Sequence, residues 1–259
     1  MRPLSKDQIH FFKREGYLIV RSILDDGLMH RAREAMWAAA PGQVDRNDPD
    51  SWIGPLRDST EKPNQMGDFT WKFREPGGED WMIRLVATDP RIWSMAEQLL
   101  GAGSLRRPER VRGIYSTFPE GDKPPATPTC HCDGHPFHLG VVGYIDRVLP
   151  DGGGLKVWPG SHHRFYYDFA GRYSCDKKGT YDRTKALFDQ QPYVDFHGEA
   201  GDMIFWHHRL GHAGGYNRSR QIRKAVFYDY VKDDLDEMID LPPGEDMWED
   251  WSEEVRNCD

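Results

Sequence analysis

The stretch LGVVGYIDRVLPDGGGLKVWPG, residues 139–160, decides how the chain reads. Leu139 to Ile145 and Leu155 to Trp158 are short apolar runs, and Pro150-Asp151-Gly152-Gly153-Gly154 and Pro159-Gly160 break the chain after each. Short apolar runs between such breakers are too brief for helices and read as buried strands. The same texture extends in both directions. Val111 to Phe118 alternates, and Tyr193 to Phe196, Met203 to Trp206 and Lys224 to Tyr230 are further short runs, with a turn at Gly198-Glu199-Ala200-Gly201-Asp202.

Upstream the pattern is helical. Ser5 can N-cap a first helix with Gln8 closing a capping box, Ile9, Phe11 and Phe12 give its apolar stripe, and Gly16 stops it. Tyr17 to Val20 then reads as a strand, and further helices are predicted from about Asp25 to Ala40 and from Pro90 to Leu100, ending at Gly101. Residues 41–80 are Pro/Gly/Asp-rich and aperiodic, which predicts a long irregular insertion over the pocket. Helices first and short strands after predict a mainly β core braced by N-terminal α-helices. The chain is expected to be one domain over 1–259. Residues 1–110 form the helical support and insertion, 111–232 the core, and 233–259 an acidic tail whose Met247, Trp248 and Trp251 pack on the barrel.

A formal net charge of −8 and the lack of any basic run argue against a nucleic-acid partner. No run approaches the roughly 18 apolar residues of a membrane span, and Met1 to Asp7 has no apolar core of a signal peptide. Cys130, Cys132, Cys175 and Cys258 read as free thiols of a reducing, cytoplasmic protein. The expected partner is a small-molecule substrate, with a homodimer through the tail allowed.

His131-Cys132-Asp133 sets an imidazole and a carboxylate at i and i+2, on one face of an extended backbone. A second, distant His would complete a two-His-one-carboxylate triad, which leaves open positions and suits non-haem Fe(II) oxygenases. His207, His208 and His212, all just after the Met203 to Trp206 run, are candidates. Small residues follow His212 at Ala213-Gly214-Gly215, allowing close approach. Arg223 opens the last strand, and a guanidinium is a planar clamp for the far carboxylate of a 2-oxo diacid. Its neighbours Arg218, Arg220 and Lys224 leave an ordinary surface arginine as the competing reading. Cys130 and Cys132 beside His131 suggest zinc only weakly, because alternation turns the thiols away from the imidazole.

At these residues the chain resembles the phytanoyl-CoA dioxygenase family of Fe(II)/2-oxoglutarate-dependent oxygenases. The resemblance runs through Leu4-Ser5-Lys6-Asp7-Gln8 to Val20, His131-Cys132-Asp133, Gly153-Gly154-Leu155 to Pro159-Gly160-Ser161-His162, Gly201-Asp202-Met203 with Arg209-Leu210-Gly211-His212, and Asn217-Arg218-Ser219 to Arg223. It implies a double-stranded β-helix, the cupin-like jelly roll, with Fe(II) on His131, Asp133 and His212. It also implies 2-oxoglutarate on Arg223, and O2 as oxidant. It makes His207 and His208 rim or supporting residues, leaves His135 and His138 to line the pocket, and treats His162 and His163 as structural.

Two departures stand out. Gly214 occupies the place where the family often has a hydroxyl residue, and Tyr144 stands nearest to a usual Trp, so Tyr144 is a candidate co-substrate contact, with Tyr115 and Thr117 as alternatives. Asp133 fills the position that is small in halogenating relatives, so the resemblance implies hydroxylation by default. Desaturation, cyclisation or epimerisation on the same scaffold, and a non-catalytic jelly-roll binder, are the alternatives. Arg112, Arg147, Arg209 and Trp206 are expected at the mouth, hinting at a polar or anionic substrate.

Overall fold

The computed structural model describes residues 3–56, 66–124 and 126–258. Helix α1 (Lys6–Glu15) begins with the capping box at Ser5 and Gln8 and ends on Gly16 with φ 81°. A side chain at Gly16 would collide with the ring of His162, so glycine serves both the left-handed turn and the close approach. Strand β1 (Tyr17–Val20) and helix α2 (Asp26–Ala38, N-capped by Asp25) follow. Next come β2 (Met66–Gly67), β3 (Thr70–Phe73), α3 (Asp80–Val86) and α4 (Pro90–Leu100). Strands β4 (Gly113–Thr117), β5 (Leu139–Tyr144), β6 (Leu155–Val157) and β7 (Val194–Asp195) come before β8 (Met203–His207), β9 (His212–Gly214) and β10 (Arg223–Tyr230).

All strand pairings are antiparallel. A seven-stranded sheet, ordered β1-β8-β5-β10-β4-β3-β2, faces a three-stranded sheet ordered β7-β6-β9. This is the expected jelly roll. Alternation divides the large sheet between two environments. On β10, Val226, Tyr228 and Tyr230 join the helices in one core, which also holds Phe12, Met82 and Leu99. Ala225 and Phe227 face the other way, into the space between the sheets, with Val142, Tyr144 and Trp206. By the same alternation Arg223 and Asp229 open inward, so the strand that supplies the core also supplies the site.

The region predicted as a long irregular insertion is more ordered than that. It contains β2 and β3, and β3 pairs with β4 in the register Lys72↔Tyr115. Thr70-Trp71-Lys72-Phe73 does alternate, but four residues between Pro/Gly-rich flanks give too short a signal to read. Trp71 packs with the helical core. Residues 57–65 of that region lie outside the described residues. Helix Tyr181–Phe188 was also not anticipated. In the tail, Trp248 and Trp251 are buried against Phe12, with ring centroids at 6.0 and 5.5 Å. No helix among the described residues is long and apolar enough to cross a membrane.

Candidate metal centre

The two halves of the site meet through a backbone bridge. His131 N–H donates to His212 O (3.0 Å) and His212 N–H to His131 O (2.9 Å), so the two residues face each other across an antiparallel pair. Side chains of directly opposed residues project to the same side, and the two rings stand 4.7 Å apart. Asp133, two residues on, shares that side. The ligand atoms of His131, Asp133 and His212 all lie within 4.8 Å of one another. Two nitrogens and one carboxylate oxygen at that separation fit a single first-row metal ion, with the donor set of the facial triad.

Local hydrogen bonds aim the donors. His212 Nδ1–H donates to Leu210 O at 2.9 Å, which leaves Nε2 as the free ligand atom, 3.5 Å from Asp133 Oδ1. Trp206 backs the His212 ring at 5.9 Å, seated over Gly140, where a Cβ would meet the indole at 2.2 Å. The other Asp133 oxygen faces Arg112, whose Nη2 is 3.4 Å away and whose Nε donates to Asp229 at 2.6 Å. His135 Nε2 joins the same group, 2.6 Å from Arg112 and 3.0 Å from Asp229.

Burial opposes the Asp133 charge, but His212, Arg112 and His135 outweigh it and hold the carboxyl well below the usual range. Burial likewise opposes a proton on His212, and Asp133 reverses that, raising its pKa. Desolvation at the site and the neighbouring His212 push His131 down to about 4, so it is neutral and ready to ligate near pH 7.

Arg223 is the second feature. Its side chain is 8% exposed; Nε donates to Gly153 O at 2.9 Å and Nη1 to Tyr115 O at 3.0 Å. Among the described residues no carboxylate pairs with it and no acceptor meets Nη2. Burial lowers its pKa, and only the Tyr144 hydroxyl acts in the other direction. A fixed, buried guanidinium with an open edge is a carboxylate receptor awaiting its partner.

Several expectations are corrected. Tyr144 is fully buried, its ring stacked on Phe196; its hydroxyl donates to Phe196 O (2.6 Å) and accepts from Leu155 N–H (3.1 Å), so the proton is committed to backbone. Trp206 is interior packing rather than a mouth residue. Arg209 is buried, with Nη2 donating to the carbonyls of Gly171, Arg172 and Ser174. Arg147 is exposed and paired with Glu199. Of the three arginines expected at the mouth, Arg112 reaches the triad, through Asp133.

His207 and His208 are buried rather than at the rim, His207 stacked on Trp251 at 5.0 Å. His138 is buried against Tyr173, whereas His135 reaches the site. His162 is buried with Nε2 on Lys13 O. Cys130 and Cys132 pack with Trp158 and Phe165, away from the imidazole, as alternation required. At Gly214 a Cβ would meet no described atom within 4 Å, so the position borders open space. Asp229 was missed, although the alternation Arg223, Ala225, Phe227, Asp229 carries the signal.

An antiparallel jelly roll presenting two imidazoles and a carboxylate carries the donor set of non-haem Fe(II) sites. The sequence model of the family Phytanoyl-CoA dioxygenase (PhyH) matches residues 12–225, and the chain belongs to that family. A probable phytanoyl-CoA dioxygenase of Caenorhabditis elegans is 22% identical over 251 residues, 90% of this chain and 77% of that protein. Among solved structures, the epimerase SnoN in complex with Fe3+, alpha ketoglutarate and nogalamycin RO shares the fold at TM-score 0.59 and 23% identity, covering 87% of this chain and 82% of that one. EctD from S. alaskensis with bound Fe does so at TM-score 0.58 and 19% identity, covering 94% and 81%.

Proposed function

We propose that the chain is an Fe(II)- and 2-oxoglutarate-dependent dioxygenase that hydroxylates an aliphatic C–H of a small polar metabolite, with release of succinate and CO2. The observation that carries this reading is the pairing of a three-donor cluster with a buried guanidinium that has no carboxylate partner among the described residues. A binding module of the same fold would need neither the cluster nor the uncompensated charge. SnoN and EctD, bearing iron or 2-oxoglutarate in a similar fold, support it.

His131, Asp133 and His212 would hold the iron, and Arg223 the far carboxylate of 2-oxoglutarate. Bound iron together with 2-oxoglutarate supplies the activation of O2. The chain's residues do the rest. Leu210 O holds the Nδ1 proton of His212, so Nε2 is the atom turned to the metal, which would displace the proton that Asp133 favours there. Arg112 holds one Asp133 oxygen and keeps the carboxylate ionised, which leaves Oδ1 to ligate. Gly153 O and Tyr115 O immobilise the Arg223 guanidinium before any ligand arrives, so little ordering cost remains on binding. Tyr144, tied to Phe196 and Leu155, holds the sheet wall near Arg223 rather than meeting the ligand through its proton. Asp133 supplies the carboxylate ligand, which favours hydroxylation over halogenation. The four cysteines are free thiols, which fits a cytoplasmic location.

The test is aerobic incubation with Fe(II), 2-oxoglutarate and ascorbate across a small-metabolite library, read by succinate. At least one compound should raise succinate above background, and His212→Ala should abolish the rise. No succinate with any compound, or full activity in the variant, overturns the proposal.

A further inference from the structure

The segment that carries His131 and Asp133 is an edge. Among the described residues its only ladder bonds are the pair between His131 and His212. Backbone N–H groups alternate sides along an extended chain. Those of Cys130 and Cys132 therefore point away from that bridge, where no further strand pairs among the described residues. Both residues are buried, and a buried N–H without an acceptor is costly.

Two side chains of one helix meet these donors. Cys132 N–H donates to the Tyr181 hydroxyl at 3.0 Å, and Cys130 N–H to Asp189 Oδ1 at 2.6 Å. Tyr181 opens the helix Tyr181–Phe188 and Asp189 caps its end. The other Asp189 oxygen accepts from the Lys185 ammonium at 2.6 Å, which turns Oδ1 toward Cys130. The Tyr181 ring is buried, 5.3 Å from Phe165 and 5.5 Å from Phe169, so its hydroxyl is held in place. Cys130 and Cys132 join the same apolar cluster. By alternation His131 and Asp133 face the other way, into the site. The helix thus grips the back of a strip whose front carries two of the three donors. The distal side is braced from the same connection between β6 and β7, where Gly211 N–H donates to Ser161 Oγ at 2.8 Å.

We propose that Tyr181 and Asp189 are positioning residues of the metal centre, their oxygens holding the outer edge of residues 130–132 so that His131 and Asp133 are aimed before an ion arrives. This rests on the reading of His131, Asp133 and His212 as the iron ligands. With the N–H groups of 130, 131 and 132 all bonded, both donors start from a fixed backbone. Metal binding then needs little reordering of the segment, and supports of this kind govern metal affinity.

The experiment is anaerobic titration of Fe(II) into the metal-free full chain in competition with a chromophoric chelator. It compares the native protein, Tyr181→Phe, Asp189→Ala, Asp189→Asn and His212→Ala. Tyr181→Phe removes one oxygen and keeps the ring. It and Asp189→Ala should each raise the Kd for Fe(II) about 10–100-fold while keeping the native circular dichroism. Asp189→Asn keeps an acceptor oxygen and should bind near the native affinity. Native Fe(II) affinity in Tyr181→Phe and Asp189→Ala, even with a lowered Tm of the metal-free protein, marks a purely structural role and overturns the proposal. A loss in Asp189→Asn equal to that in Asp189→Ala also overturns it. A native chain that binds Fe(II) no better than His212→Ala overturns the metal centre itself, and this role with it.

Discussion

Replacing Arg223 by Gln separates what the guanidinium does for the ligand from what it does for the fold. The side chain is 8% exposed and held by Gly153 O and Tyr115 O, with its open edge unmatched by any carboxylate among the described residues. Truncating one partner of a buried, hydrogen-bonded charge pair costs about 2–5 kcal/mol of binding, and a loss in the middle of that range raises Kd by about 100-fold or more. Ligand binding stabilises the native state by mass action. At a 2-oxoglutarate concentration of about 100 native Kd, the native Fe(II) protein gains about 2.7 kcal/mol. For a domain of this size that raises Tm by about 5–11 °C. With Kd raised 100-fold the same concentration stabilises by only about 0.4 kcal/mol, or about 1–2 °C. The assay is anaerobic differential scanning calorimetry of both proteins with Fe(II), with and without 2-oxoglutarate. An Arg223→Gln protein stabilised as much as the native one would refute the clamp.

Three further outcomes are expected. Arg112→Gln removes the group that positions Asp133 and should weaken Fe(II) binding about 10–100-fold in a chelator competition; unchanged affinity contradicts the role. Gly140→Ala drives a methyl group into Trp206, 2.2 Å away, and should cost about 1–3 kcal/mol, lowering Tm by about 2–12 °C; an unchanged Tm contradicts the packing. Burial pushes His138 and His162 down to about 3, and His207 and His208 well below the ordinary histidine value. The unfolded chain binds protons at these residues below about pH 6.5 while the folded chain does not. Stability is therefore full above pH 6.5 and falls as pH drops from there toward 3, by up to about 1.4 kcal/mol per pH unit for each group. Melting curves at pH 7.5 and 5.5 should show a clear drop in Tm, and a flat profile contradicts the buried neutral imidazoles.

The strands were legible where an apolar run is closed by Gly or Pro, as at Leu139 to Ile145, and α1 was legible because Ser5 and Gln8 write its start. β3 was hidden because four alternating residues between irregular flanks carry little signal. His131 and Asp133 followed from a two-residue spacing, which is local. The third donor had no such local spacing, and it was the family resemblance that selected His212 from His207, His208 and His212. Three-dimensional packing separates them: His207 stacks on Trp251 in the core, and His208 points its Nε2 at Arg172 O. His212 meets His131 across a bridge between segments some eighty residues apart. Arg209 was misplaced for a related reason, because the carbonyls that bury its charge come from a turn at 171–174 that no local pattern reveals.

The central claim is tested most directly by anaerobic titration of Fe(II) into the protein in the presence of 2-oxoglutarate, followed by visible absorption. The account predicts a charge-transfer band that saturates at one iron per chain and is absent in His212→Ala and in Asp133→Ala. A native protein that develops no band, or an equal band in either variant, would contradict it.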